Sequence, residues 1–119
     1  MIDTEHRHEP RVARPFMVRY RGRTDARRQW SVSPLHDFSV SGARFMSDRS
    51  FIIEDELELE LLLPVMARPI AIRARVAWTK LSKLGLVELG VVFDAMDATT
   101  QQIIEGAVAY FVHGEKGDA

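Results

Sequence analysis

The sequence predicts a mostly β fold, namely a six-stranded antiparallel β-barrel followed by one C-terminal α-helix. Three observations support this prediction. Apolar and polar side chains alternate in six short segments, which is the period of a half-buried strand. Turn residues separate these segments at even intervals, as they do in small barrels. After Asp94 the apolar spacing changes to that of a helix.

The clearest strand runs from Leu57 to Leu61, where leucine and glutamate alternate strictly. Leucine favours helices, but a helix would spread these leucines around its circumference, whereas a strand places them all on one face. Ile70 to Trp78 repeats the alternation and predicts that Trp78 points inward. The other predicted strands are Phe16 to Tyr20, Gln29 to Asp37 with an edge or bulge at Pro34, Gly42 to Met46, and Leu84 to Phe93.

The predicted helix carries one apolar stripe, made of Ile103, Ile104, Ala107, Val108, Phe111 and Val112. Asp97 or Thr99 is expected to cap its start, and Thr99 to Gln102 fits a capping box. Gly106, inside the helix, predicts close packing against the sheet, because a glycine there otherwise only weakens the helix. Gly114 is the expected end of the helix.

We expect a single domain with three parts, a flexible arm over about 1–13, the barrel over about 14–94 and the helix over about 97–113. A chain of 119 residues can bury a core without metals or disulfides. It contains no cysteine, no apolar run long enough to span a membrane and no apolar core of a signal peptide. The expected protein is therefore cytoplasmic and has no membrane span.

Charge is distributed unevenly, although the formal net charge is only -1. Eight arginines and no lysine lie between Arg7 and Arg28, and arginine is suited to two-pronged recognition of a phosphate or a base edge. The net charge is too near zero for a general nucleic-acid coat, so neither DNA nor RNA is the expected partner. Single-stranded nucleic acid bound by the arginine-rich half remains an alternative.

The stretch from Asp37 to Gly42 combines strand-like alternation with a terminal glycine. An extended segment would present Asp37, Ser39 and Ser41 on one face, towards solvent or a ligand, and the apolar residues between them on the other. Gly42 allows a positive φ or a close backbone approach that a side chain would block. A polar strand face beside a glycine is suited to binding an anion or a base.

Two arginines four residues apart, Arg7 and Arg11, precede this stretch. An R-x-x-x-R pattern followed about 26 residues later by D-x-S-x-x-G resembles the two motifs of the PilZ domain family. The resemblance implies a six-stranded barrel that binds the bacterial second messenger cyclic di-GMP and needs no other cofactor. It also implies that Arg7 and Arg11 clamp the ligand, while Asp37, Ser39 and Gly42 form the surface on the barrel side.

Two further residues are candidates for the same site. His6 precedes the first arginine and bears on whether the ligand binds as an intercalated dimer, and Arg44 shares the polar face near the motif. The resemblance implies a ligand-switched receptor or adaptor that acts on a separate protein effector in motility, exopolysaccharide or biofilm control. Without ligand, the cationic arm from Arg7 to Ala13 is expected to have little reason to order. The alternative function is a ligand-independent protein-interaction module.

We expect neither a catalytic site nor a metal site. His6 and His8 lack a cysteine or a distant third ligand with which to hold a metal. His36, Asp37 and Ser39 are neighbours on one strand, whereas a catalytic triad needs a nucleophile and a base that meet in space. Trp78 is expected in the core rather than on a ligand-stacking surface. The sequence thus predicts a binding protein and not an enzyme.

Overall fold

The computed structural model describes residues 9–26, 28–64 and 66–117. Its strands and its long helix are β1 Met17–Gly22, β2 Ser31–Phe38, β3 Gly42–Ser47, β4 Glu56–Leu62, β5 Ile70–Leu81, β6 Val87–Phe93 and α1 Ala98–Gly117. A short 3-10 turn, Lys83–Gly85, joins β5 to β6. Over the residues described, no helix combines the length and the apolar character needed to cross a membrane.

The six strands form a closed barrel in the order β1-β2-β3-β6-β5-β4, and β4 pairs with β1 to complete the circle. Every neighbouring pair is antiparallel. Closure leaves each of these strands with a partner on both sides, so none offers an open edge. The predicted fold class, a six-stranded antiparallel β-barrel with a C-terminal helix, is confirmed.

The apolar side chains of the alternating strands fill the barrel interior. The leucines that alternate with glutamate in β4 are at most 1% exposed, as the period predicted: Leu57, Leu59 and Leu61. Tyr20 reaches the same interior, with its ring centroid 4.9 Å from that of Phe45. Its hydroxyl donates a hydrogen bond of 3.0 Å to the Oγ of Ser47, so the one polar atom of this buried side chain is satisfied.

Two register shifts, one between β2 and β3 and one between β5 and β6, change which side chains face outward. The register between β5 and β6 shifts between Val76 and Trp78, and Trp78 lies on the outer surface with 37% of its area exposed. The prediction that Trp78 points inward is wrong, because one extra residue in a strand reverses the faces beyond it. The second shift, between Leu35 and Asp37, follows Pro34, where the sequence predicted an edge or a bulge.

The helix covers the barrel with a narrower stripe than predicted. Its buried residues are Ile104, Ala107, Val108 and Phe111. Phe111 packs against Phe16, with 4.7 Å between the ring centroids. Asp97 caps the helix, because its Oδ1 accepts a hydrogen bond of 2.7 Å from the backbone N–H of Thr100.

Three details of the predicted helix are wrong. Ile103 is 37% exposed, because it lies on the flank of the stripe next to Ile104. Gly106 is exposed, and a Cβ built there would have no atom within 4 Å, so it does not mark close packing against the sheet. The backbone remains helical past Gly114 to Gly117, since a glycine lowers helix propensity without forcing a helix to end.

The exposed position of Gly106 allows a direct test of the helix assignment. We expect Gly106→Ala to raise the free energy of unfolding by about 0.5–1 kcal/mol, because alanine loses less backbone entropy and meets no neighbour. Gly42→Ala is the matched comparison and should lower it by about 1–3 kcal/mol, since its Cβ would overlap the Val91 carbonyl oxygen. Urea denaturation measures both changes, and destabilisation by Gly106→Ala would contradict the helix packing described above.

Candidate functional site

Residues 9–13, the described part of the arm, lie against the barrel and are anchored at Val12. The Val12 N–H donates to the carbonyl of Phe38 at 2.8 Å, and the Phe38 N–H donates back to the carbonyl of Val12 at 3.1 Å. The Val12 side chain is 3% exposed and belongs to the core. Residues 9–13 thus have a reason to order that the sequence did not predict, while the rest of the predicted arm lies outside the described residues.

Asp37 is the centre of an ionic cluster beneath this arm, and it is only 4% exposed. Arg11, from the arm, donates to its Oδ1 from Nε at 3.0 Å and from Nη2 at 2.6 Å. Arg44, opposite Asp37 in the register of β2 and β3, donates to its Oδ2 from Nε at 3.0 Å and also from Nη2. One carboxylate therefore joins two guanidinium groups that come from separate parts of the chain.

The arginines decide the protonation of this cluster. Burial acts to raise the pKa of Asp37, but the hydrogen bonds from Arg44 and Arg11 outweigh burial and hold the pKa below the ordinary value of an aspartate. The hydrogen bond with Asp37 in turn raises the pKa of Arg44. Asp37 is therefore a carboxylate at neutral pH, and its hydrogen bonds with the two guanidinium groups are of the strong, charge-assisted kind.

Two serine hydroxyls beside the cluster converge on one oxygen of Glu9. Ser39 donates from Oγ to Oε1 of Glu9 at 2.7 Å, and Ser41 donates to the same oxygen at 2.6 Å. The Ser39 Oγ also accepts a hydrogen bond of 3.2 Å from Nη1 of Arg11. Glu9 is thereby part of the site, although the sequence did not single it out.

The predicted row of solvent-facing polar residues from Asp37 to Ser41 is only partly correct. Asp37 and Ser39 are buried, with 4% and 0% of their areas exposed, and Ser41 is half-buried. The alternation fails because the register shift precedes Asp37 and β2 ends at Phe38. The arm covers the part of the motif that was expected to face solvent.

Gly42 is the first residue of β3 and lies directly against the backbone of β6. A Cβ at Gly42 would overlap the carbonyl oxygen of Val91, and Gly42 is not among the residues with positive φ. Of the two roles predicted for this glycine, the structure shows the close backbone approach, and the group approached is a neighbouring strand. Contact between Gly42 and a ligand remains a prediction.

A cavity of about 360 Å³ opens beside the ionic cluster, and its volume falls within the range of small-molecule sites. Glu9 and Arg11 line it from the arm, and Arg44 lines it from β3. Trp78 and Val92 contribute apolar surface from β5 and β6. The cavity therefore combines guanidinium groups with an exposed aromatic ring, which suits a ligand that is both anionic and aromatic.

Trp78 is held in this cavity by the glycine opposite it. Trp78 and Gly90 are partners in the register of β5 and β6, and a Cβ at Gly90 would overlap the indole ring. The ring thus lies directly on the β6 backbone. A glycine inside a strand often marks such a close approach, so Gly90 was the signal in the sequence that could have placed Trp78 outside the core.

The structure brings together most of the predicted site residues that it describes. Four of them are linked directly by hydrogen bonds: Arg11, Asp37, Ser39 and Arg44. Gly42 lines the adjoining cavity. The other two predicted residues, His6 and Arg7, lie outside the described residues.

Comparison with known proteins identifies the family. The model of the PilZ domain matches residues 5–110 of the chain, which include both motifs and all six strands. The chain belongs to the PilZ domain family. No curated protein matches this PilZ chain at a significant level.

The PilZ fold of this chain is similar to several solved structures. Apo MrkH of K. pneumonia aligns with a TM-score of 0.75 and 17% identity, over 100% of this chain and 55% of MrkH. MotI/DgrA of Bacillus subtilis aligns with a TM-score of 0.73 and 17% identity, over 99% and 54%. The PilZ domain of Escherichia coli YcgR, solved with c-di-GMP, aligns with 0.69 and 11%, over 93% and 96%. This chain therefore spans about half of MrkH or MotI/DgrA.

The depressed pKa of Asp37 leads to a pH-dependent prediction. Its contribution to stability is fully present above the unfolded-state pKa of about 4 and is lost as the pH falls through the lower folded-state value. We expect Asp37→Asn to lower the free energy of unfolding by about 1–3 kcal/mol at pH 7. The difference between wild type and variant should shrink as the pH is lowered below about 4.

Urea denaturation over a pH series measures this difference. Glu105→Gln is a suitable control, because Glu105 is exposed on the helix and accepts a hydrogen bond from Gln101 only four residues away. Its effect on stability should be small at every pH tested. A difference between Asp37→Asn and wild type that is the same at pH 7 and pH 3 would contradict the ionic role of Asp37.

Proposed function

We propose that this PilZ domain binds cyclic di-GMP in the cavity between the arm, Arg44 and Trp78. The observation that carries the proposal is the convergence of two guanidinium groups and an exposed indole on one cavity. The likeness in fold to the YcgR domain solved with c-di-GMP supports this choice of ligand. Cyclic di-GMP has two phosphates and two guanines, so it presents both kinds of group that the cavity suits.

The arginines supply charge and directed donors in this proposal. A guanidinium has five N–H donors, and Arg44 directs its Nε and Nη2 to Asp37. In this proposal the other N–H groups of Arg44 donate to a phosphate or to the O6 and N7 edge of guanine. Arg7 would add a second guanidinium from the arm. Asp37 holds Arg11 and Arg44 by hydrogen bonds. We therefore infer that its role is to orient these two arginines and not to contact guanine directly.

Trp78 supplies a stacking surface. Its ring lies on Gly90 and is therefore restricted in orientation, yet 37% of the residue is exposed. A purine can stack on such a ring without displacing any part of the core. We infer that one guanine of the ligand stacks on the indole while the phosphates lie towards the arginines.

The domain acts, in this proposal, as a receptor or adaptor and not as an enzyme. Ligand contacts would fix the arm in a new position on the barrel and so create a surface for a separate protein effector. Motility, exopolysaccharide synthesis and biofilm formation are the processes that family membership suggests. A partner pull-down with and without cyclic di-GMP would identify which of these processes the domain serves.

A single-stranded nucleic acid is a less suitable ligand, because many of the arginines after the arm are already paired. Three of them form side-chain ion pairs across to β4: Arg19 with Glu60, Arg21 with Glu58 and Arg23 with Glu56. Their charge is balanced locally and does not form an unmatched basic surface. The alternative that remains is a ligand-independent interaction module.

Titration calorimetry with cyclic di-GMP tests the proposal. We expect wild-type protein to bind and Arg11→Ala to bind at least roughly tenfold more weakly, because each charge-assisted contact contributes about 1.5–3 kcal/mol. Arg23→Ala is the matched control, since it removes an arginine that follows β1 and pairs with Glu56 at the start of β4. Absence of binding by wild type at concentrations well above micromolar would favour the ligand-independent module. Equal binding by Arg11→Ala would show that the ligand binds elsewhere.

Trp78 allows a separate test of the stacking geometry. Trp30 is the only other tryptophan, so Trp30→Phe leaves Trp78 as a single fluorescent reporter. We expect its emission to change on ligand binding, and Trp78→Ala to weaken binding by about 1–3 kcal/mol. Emission that stays constant at saturating cyclic di-GMP would exclude stacking on Trp78 even if binding is confirmed.

A further inference from the structure

The cavity contains an anion that belongs to the chain itself. The Glu9 carboxylate lines the cavity beside Arg11, and its Oε1 accepts hydrogen bonds from both Ser39 and Ser41. Two hydroxyl donors that converge on one oxygen next to a guanidinium would suit a phosphate oxygen equally well. Glu9 thus occupies the donors that an incoming phosphate would use.

The Glu9 carboxylate also changes the net charge that a ligand meets at the cavity. Among the described residues at the cavity and the cluster behind it, Arg11 and Arg44 contribute two positive charges. Asp37, which accepts hydrogen bonds from both arginines, and Glu9, which accepts one from Ser39, contribute two negative charges. A dianionic ligand therefore meets no excess positive charge while Glu9 remains in place. Departure of the Glu9 carboxylate would leave an excess of one, because Asp37 is buried and stays with the arginines.

The arm is attached in a way that allows Glu9 to leave first. Arg11 is adjacent to the backbone bridge at Val12, and its guanidinium makes three hydrogen bonds to Asp37 and Ser39. Glu9 lies beyond Pro10, farther from the bridge, and the two serine hydroxyls hold its side chain. Segments with few buried contacts open at lower free energy than the anchored core, so the Glu9 carboxylate can be exchanged without releasing Arg11.

We propose that Glu9 is an internal competitor of the ligand, and that a phosphate of cyclic di-GMP displaces its carboxylate from Ser39 and Ser41. Glu9 then sets the concentration of ligand at which the site fills. This inference rests on the proposed function. It predicts that removal of an acidic residue from the arm makes ligand binding tighter, whereas substitution of a residue that merely supports the site would make it weaker.

Calorimetric titration of wild type, Glu9→Gln and Glu9→Ala with cyclic di-GMP tests the inference. Glu9→Gln removes the charge and keeps the shape, while Glu9→Ala also frees the two hydroxyls. We expect at least one of the two variants to bind roughly tenfold more tightly than wild type, since hydrogen bonds to a charged group are no longer lost on binding. Glu105→Gln removes an exposed glutamate from the helix and should leave the affinity unchanged.

The possible outcomes separate this inference from the proposed function. If wild type binds and both Glu9 variants bind equally well or more weakly, Glu9 is not a competitor, although the ligand assignment stands. If only the Glu9 variants bind, the role of Glu9 as a competitor is supported, and the proposed function fails for the wild-type domain by the calorimetric criterion given above. If no variant binds, the proposed function fails and the inference fails with it. An equal gain in Glu105→Gln would attribute the effect to net charge and overturn the role of Glu9.

Discussion

The candidate site depends on the hydrogen bonds that one carboxylate, that of Asp37, accepts from two arginines. This carboxylate lies below the arm, accepts hydrogen bonds from Arg11 on one oxygen and from Arg44 on the other, and is almost completely buried. A buried carboxylate without these partners would be costly, and two adjacent arginines without a carboxylate would repel each other. Each member therefore requires the others. This mutual requirement places a guanidinium from the arm and one from β3 at the same cavity.

The fold could be predicted because its core follows simple alternation. The alternating leucines of β4 predict the inner face of the barrel directly, and the change in apolar spacing after Asp94 predicts the helix. The face of Trp78 could not be predicted in the same way, because the register shift that turns it outward depends on pairing with β6. Alternation describes one strand at a time, whereas a bulge is a relation between two strands.

The residues of the candidate site could be predicted from the sequence where they belong to the two spaced motifs. Arg11, Asp37 and Ser39 follow from those motifs, and the structure joins them with hydrogen bonds. Glu9 carries no such signal, because a glutamate in a polar arm is most simply a solvated residue, and its role emerges only when the bridge at Val12 brings it to the serines. Spacing along the chain thus reveals the residues of a motif but not a residue, such as Glu9, that only the fold brings to it.

Closure of the barrel restricts which parts of this domain can move. Every strand has neighbours on both sides, so none can slide or separate without breaking two rows of backbone hydrogen bonds. The barrel is consequently a fixed reference against which only peripheral segments can be displaced. If a partner distinguishes the ligand-bound from the ligand-free domain, it does so by recognising the position of the arm relative to the rigid barrel.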